Sequence, residues 1–169
     1  PLDFDITPFF GIYLVKNRDL SINEMYDKAN LASKNCKGNY IQNYFFYTKE
    51  MSEEIIKEQH IINNMKNALK NEEFVLYLQP KYELQRNSIA GAEVLVRWIT
   101  ADGRMISPGE FIPVFERNGF ILKLDQYVWE KTCQLLAGWR DEGRKIFPVS
   151  VNISRVSLYN PKIVDVICE

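Results

Sequence analysis

The segment Gly91-Ala92-Glu93-Val94-Leu95-Val96-Arg97-Trp98 restricts the folds open to this chain, because a carboxylate stands in an apolar, strand-like run where nothing local neutralises it. Burying that carboxylate without compensation is very costly. Side chains in a strand alternate between faces, so Glu93, Leu95 and Arg97 share one face while Ala92, Val94, Val96 and Trp98 share the other. Two readings stay open. Glu93 and Arg97 form an internal pair, although four residues along a strand is far for direct contact, or the polar face meets partners from elsewhere in the fold.

From Glu73 onward strand and helix patterns alternate. Phe74 to Gln79 is nearly continuous apolar and ends at Pro80, and a turn around Gln85 to Ser88 leads into Ile89 to Ile99, which predicts a hairpin. Asp102-Gly103 marks the next turn. Ser107-Pro108, with Glu110 in the first turn, starts a short helix through Phe115 that Asn118-Gly119 closes. Leu124 to Trp139 predicts a longer helix stopped near Gly143. Phe147 to Ile153 reads as a strand, and Ser154 begins a helix that reaches Glu169. This order implies the parallel α/β class, with about three strands of an incomplete barrel. Trp98, Trp129 and Trp139 read as core, Asp125 as a first-turn charge on the helix dipole, Glu116 as a residue ordering its loop, and Lys81 as a solvated strand end, with a phosphate contact as the alternative.

The amino-terminal part reads differently. A strand from Thr7 to Val15 is followed by a helix that Ser21 and Glu24 cap. Met25, Ala29 and Ala32 repeat along it until Lys37-Gly38, and an aromatic strand spans Tyr40 to Tyr47. Ser52 then opens a long helix in which Ile55, Ile62, Met65 and Leu69 recur at near-heptad spacing, a connector that packs on a neighbouring domain or pairs two copies. The chain begins at Pro1 without an initiating methionine and reads as a piece of a longer protein. The expected domains are residues 1–50, a linker helix over 51–72, and residues 73–169.

Composition excludes several functions. At 169 residues, 46% hydrophobic and 13% aromatic, the chain is that of a packed globular protein. A net charge of -1, from 21 basic and 22 acidic residues, provides no footprint for a nucleic-acid polymer. Cys36, Cys133 and Cys168 are odd in number and widely spaced, which indicates neither a disulfide framework nor a CxxC metal site and fits a reducing compartment. No apolar run is long enough to span a bilayer, so a cytoplasmic location is expected, either free or as the cytoplasmic part of a membrane-anchored protein. The lone histidine, His60, lies in a polar helical stretch and reads as solvated, against triads and histidine-rich metal sites.

Asn152 follows the logic of Glu93. Val149, Val151 and Ile153 occupy one face of the last strand while Ser150, Asn152 and Ser154 occupy the other. In α/β barrels, polar side chains at the carboxyl ends of strands are where catalytic groups sit. A carboxylate oxygen and an amide oxygen are hard ligands suited to magnesium or manganese. An Asn just before a helix is equally a common capping residue.

Several of these segments, in this order, resemble the first half of an EAL domain, the cyclic di-GMP phosphodiesterase family. The resemblance covers Phe74 to Glu169 and runs through Gln79-Pro80-Lys81, the Gly91 to Trp98 segment, Ser107-Pro108-Gly109-Glu110-Phe111-Ile112-Pro113, Glu116, Asn118-Gly119, Leu124-Asp125 and Val149-Ser150-Val151-Asn152-Ile153-Ser154. It implies a TIM-like (β/α) barrel that hydrolyses cyclic di-GMP to pGpG with two divalent ions. Glu93 and Asn152 are then metal ligands, Arg97 a phosphate clamp, Gln79 a polar contact to the nucleotide, and Leu95 a lining residue. The family's other ligands are expected beyond Glu169, so the chain alone is expected to be inactive. Val94 replaces the alanine of Glu-Ala-Leu, and alternation places it on the face away from Glu93. An alternative within the resemblance is a degenerate EAL domain that senses cyclic di-GMP or serves as an interaction module. Ile6 to Tyr47 resembles the tail of a GGDEF domain through Ala29-Asn30-Leu31-Ala32-Ser33-Lys34. The Gly-Gly-Asp-Glu-Phe loop is not in this chain, and Thr7-Pro8-Phe9-Phe10-Gly11 departs from the usual Ser-x-Gly strand, so no cyclase activity is assigned. The exposed edges of an open half barrel, or the linker helix, are expected to associate copies of the chain into a homo-oligomer.

Overall fold

A computed structural model of the chain describes residues 8–16, 18–34, 43–161 and 163–168. The chain divides into two compact units, Pro1–Gln59 and His60–Glu169.

In the first unit, strand β1 (Phe10–Ile12), helix α1 (Ile22–Lys34) and strand β2 (Tyr44–Phe46) form a β-α-β element whose strands pair in parallel, Phe10 opposite Tyr44 and Ile12 opposite Phe46. α1 starts as its sequence predicts. The Ser21 backbone N–H donates to the Glu24 carboxylate at 2.8 Å, and the Glu24 N–H donates to Ser21 Oγ at 3.2 Å. The Ser21 backbone N–H and hydroxyl, each donating to the Glu24 carboxylate at 2.8 Å, hold that carboxyl below its ordinary pKa. Gly11 lets the strand press against this helix, since a Cβ there would lie 1.8 Å from the Ala29 carbonyl oxygen. The predicted stop at Lys37-Gly38, Thr7, and residues 40–42 of the aromatic strand lie outside the described residues.

Helix α2 (Lys49–Lys70) begins three residues before Ser52, which corrects the predicted start. The hydroxyl of Ser52 lies 2.8 Å from that of Tyr47, a tertiary contact rather than a cap. The near-heptad stripe holds for Ile62, Met65 and Leu69 and fails at Ile55. In the second unit Ile61 and Ala68 are buried and Ile62, Met65 and Leu69 pack beside them, whereas Ile55 is 48% exposed.

The second unit carries a sheet of four strands, β3 (Phe74–Glu83), β4 (Ser88–Ile99), β5 (Met105–Ile106) and β6 (Val149–Ser150). β3 and β4 form the predicted hairpin, and Pro80 does not end β3. The strand continues to Glu83, with a register shift between Lys81 and Tyr82. Among the described residues only β4 flanks β3, and the missing N–H of Pro80 falls where no ladder bond is needed. β4 pairs antiparallel with β5 and parallel with β6, and the sheet is therefore mixed rather than all parallel. β6 keeps only Val149–Ser150, the middle of the predicted Phe147 to Ile153 strand.

Four helices complete the unit: α3 (Pro108–Asn118), α4 (Ile121–Asp141), α5 (Arg155–Leu158) and α6 (Ile163–Cys168). Gly119, at φ 77°, ends α3 in the left-handed conformation that its sequence predicts. The single helix expected after Ser154 is two short ones. Asn160-Pro161 lies between them, where proline cannot continue the first. The core lies between one face of β4 and helices α3 and α4. Phe74, Trp98, Phe111 and Phe115 are at most 1% exposed, with ring centroids 5.1 to 6.0 Å apart. Val94 joins this core, on the face its alternation predicts. Trp129 and Trp139 are only half-buried, which corrects the expectation that all three tryptophans are core.

Asp125 differs most from its sequence reading. It is a buried acceptor rather than a charge at a helix end, bound by the Ser154 backbone N–H at 3.0 Å and by Ser157 Oγ at 2.6 Å. Asp125→Ala is expected to destabilise the unit by about 1.5–3 kcal/mol, the range for hydrogen bonds to a charged acceptor. Urea unfolding of the variant measures this, and a change below about 0.5 kcal/mol contradicts it.

Candidate functional site

The face of β4 opposite the core carries the candidate site. Cross-strand register aligns Gln79 of β3, Glu93 of β4 and Ser150 of β6 in one row, and strands in a sheet lie about 4.8 Å apart. Asn152, two residues after Ser150, reaches the same carboxylate, with its Nδ2 donating to Glu93 Oε1 at 3.3 Å. Residues 59 apart in sequence thus meet at one point.

Two side chains one turn apart on α4 hold Asn152 there. Asp125 accepts from the Ser154 N–H, and Trp129 Nε1 donates to the Asn152 carbonyl oxygen at 3.3 Å. The segment after β6 is therefore fastened on both sides of Ile153 although it makes no further ladder bonds. Nothing in the spacing of Asp125 and Ser154 along the chain signals this tether. The polar alternation of Ser150 and Asn152 does signal the face they share.

The ionic partner of Glu93 is not Arg97. Lys81 Nζ stands 3.7 Å from Glu93 Oε2 and donates to Ser150 Oγ at 2.8 Å, and Ser150 Oγ in turn donates to the Ala92 carbonyl at 3.3 Å. The reading of Lys81 as a merely solvated strand end is thereby corrected. Arg97 donates to the Val96 carbonyl at 2.9 Å and lies over the Tyr77 ring, 5.8 Å from its centroid. Leu95, Arg97 and Asn152 line one opening of about 120 Å³, with Ile112 and Ile121 among its apolar walls. Gln79 is exposed, and Glu116 is exposed near the end of α3.

The donor set at Glu93 suits a divalent ion. Both side chains offer hard oxygens, the carboxylate already draws a cation toward it, and a half-turn of the Asn152 amide presents Oδ1 in place of Nδ2. Among the described residues no group of three or more His, Cys, Asp or Glu is placed to hold a metal. Two ligands alone do not close a hydrolytic metal centre. Cys133 is a free, exposed thiol. Cys36 and the side chain of Cys168 lie outside what is described. Among the described residues no helix is long and apolar enough to cross a membrane.

The chain is similar to several known proteins. Residues 62–169 match the family model of the EAL domain. Over 160 residues the chain is 26% identical to the bifunctional diguanylate cyclase/cyclic di-GMP phosphodiesterase MucR of Pseudomonas aeruginosa, covering 95% of this chain and 23% of that protein. It is 32% identical over 133 residues to the signaling protein YkoW of Bacillus subtilis, covering 78% of this chain and 16% of that protein. Among solved structures, the MucR phosphodiesterase in complex with c-di-GMP superposes with a TM-score of 0.60 at 28% identity, over 64% of this chain and 44% of that one.

Proposed function

Because the chain belongs to the EAL domain family, whose model spans residues 62–169, we propose that it is part of a cyclic di-GMP phosphodiesterase that opens one phosphodiester bond to yield linear pGpG. The observation that carries this reading is the meeting of Glu93 and Asn152 across 59 residues of sequence on the face of β4 away from the core. Glu93 and Asn152 would hold a magnesium or manganese ion through oxygen. When bound, such an ion polarises the phosphodiester and makes a nucleophile of its water. Arg97 supplies a planar, two-pronged donor for a phosphate of the nucleotide, Leu95 lines the pocket beside it, and Gln79, in the same cross-strand row, is a polar contact to the nucleotide.

The family carries two metals, and Glu93 with Asn152 is too small a ligand set for them, so activity belongs to the full-length protein and this chain alone does not turn over. In the same proposal residues 1–50 are the carboxyl-terminal part of a GGDEF-like domain, residues 51–72 a linker, and residues 73–169 the amino-terminal part of the EAL domain. The EAL family model begins at residue 62, within the segment read as linker, and the match to MucR covers 95% of this chain.

The test is incubation of the full-length protein with cyclic di-GMP and magnesium or manganese, with the nucleotides separated by chromatography. Formation of pGpG in a metal-dependent manner is expected. Intact cyclic di-GMP with both ions overturns the enzyme reading, and tight binding without turnover assigns the domain as a sensor.

A further inference from the structure

We propose that Lys81 is a positioning residue of this site, a built-in counter-ion that holds the Glu93 carboxylate before a metal arrives and yields its place to the divalent cation. The inference rests on the metal reading of Glu93 given above. Two features aim Lys81 at that place. Its cross-strand neighbour is Gly91, so the lysine stem meets no side chain on β4 as it crosses toward Ser150 on β6. An opening of about 250 Å³, lined by Lys81, Gly91, Pro148 and Ser150 among others, gives the stem room.

The resulting ammonium is shared between a hydroxyl at 2.8 Å and a carboxylate oxygen at 3.7 Å. The lysine side chain is 54% exposed and that of Glu93 34%. A pair this open is weak, so it orients the carboxylate without locking it. A divalent ion on Glu93 carries twice the charge of the ammonium and takes oxygen ligands that lysine, a pure donor, cannot share. The two cations therefore exclude one another at Glu93.

Manganese binding to the full-length protein, read by electron paramagnetic resonance, tests this with Lys81→Met, Glu93→Gln and a control, Lys123→Met, that removes a charge from the exposed face of α4. Lys81→Met is expected to tighten manganese binding about two- to fivefold, the worth of an exposed ion pair. Lys123→Met should leave it unchanged, and Glu93→Gln should weaken it at least about tenfold. In the unsubstituted full-length protein, the Lys81 side-chain carbon resonance should move on magnesium titration with the same half-saturation as metal binding. Equal tightening in both lysine variants, no change in Lys81→Met, or a Lys81 resonance that stays still while the metal binds each overturns the inference and leaves the metal site standing. Manganese binding that is indifferent to Glu93→Gln, or not detectable, overturns the metal reading itself and Lys81 with it.

Discussion

Replacing Glu93 with glutamine is expected to lower cyclic di-GMP hydrolysis by the full-length protein at least about a hundredfold. Charge stabilisation by a catalytic metal is worth several kcal/mol, and about 1.4 kcal/mol corresponds to a factor of ten in rate. Glutamine retains the shape of the side chain and can still accept from Asn152 Nδ2, so what it removes is the negative charge that draws a cation. The fold should be untouched. Glu93 lies on the face of β4 opposite Val94 and Trp98, away from the aromatic core, and substitutions on such a face change stability by less than about 0.5 kcal/mol. Initial rates at saturating manganese, with thermal melts of both proteins, separate the two effects. A variant within tenfold of the parent rate would show that Glu93 is not a metal ligand.

Trp98→Ala acts on the other face of the same strand and is expected to destabilise the unit by about 3–5 kcal/mol. Trp98 is 0% exposed, its ring lies 5.1 Å from Phe74, 5.9 Å from Phe111 and 6.0 Å from Phe115, and its Nε1 donates to Glu73 Oε2 at 2.9 Å. Truncation leaves a cavity among rings that cannot collapse into it, and it strips a donor from Glu73. Trp98→Phe keeps most of the volume and loses the hydrogen bond, so it should cost about 1–2 kcal/mol. Chemical denaturation followed by circular dichroism gives both values. A loss below about 1.5 kcal/mol for the alanine variant would mean that the aromatic cluster is not what secures β4 to α3 and α4.

The face preference of β4 was legible because strand alternation is a local rule. Val94 and Trp98 are buried and Glu93 and Arg97 are on the other side, as the order of residues requires. Helix ends were legible where the chemistry is local, as at Ser21 with Glu24 and at Gly119. Pro80 was misread because the ban on proline in strands applies to paired N–H groups, and whether that group is paired depends on which strands lie alongside. Asp125 was misread because its partners, Ser154 and Ser157, lie 29 and 32 residues away.

The candidate site divides along the same line. The sequence alone determined which residues carry hard oxygen ligands and on which face of its strand each lies, since side-chain chemistry and a period of two need no tertiary information. Tertiary structure decided that Asn152 and Glu93 meet, that α4 holds Asn152 through Asp125 and Trp129, and that Lys81 rather than Arg97 neutralises the carboxylate. Each of these outcomes depends on register between strands or on a helix crossing a sheet. Such distances are set by the packing of the whole unit, and no spacing along the chain encodes them.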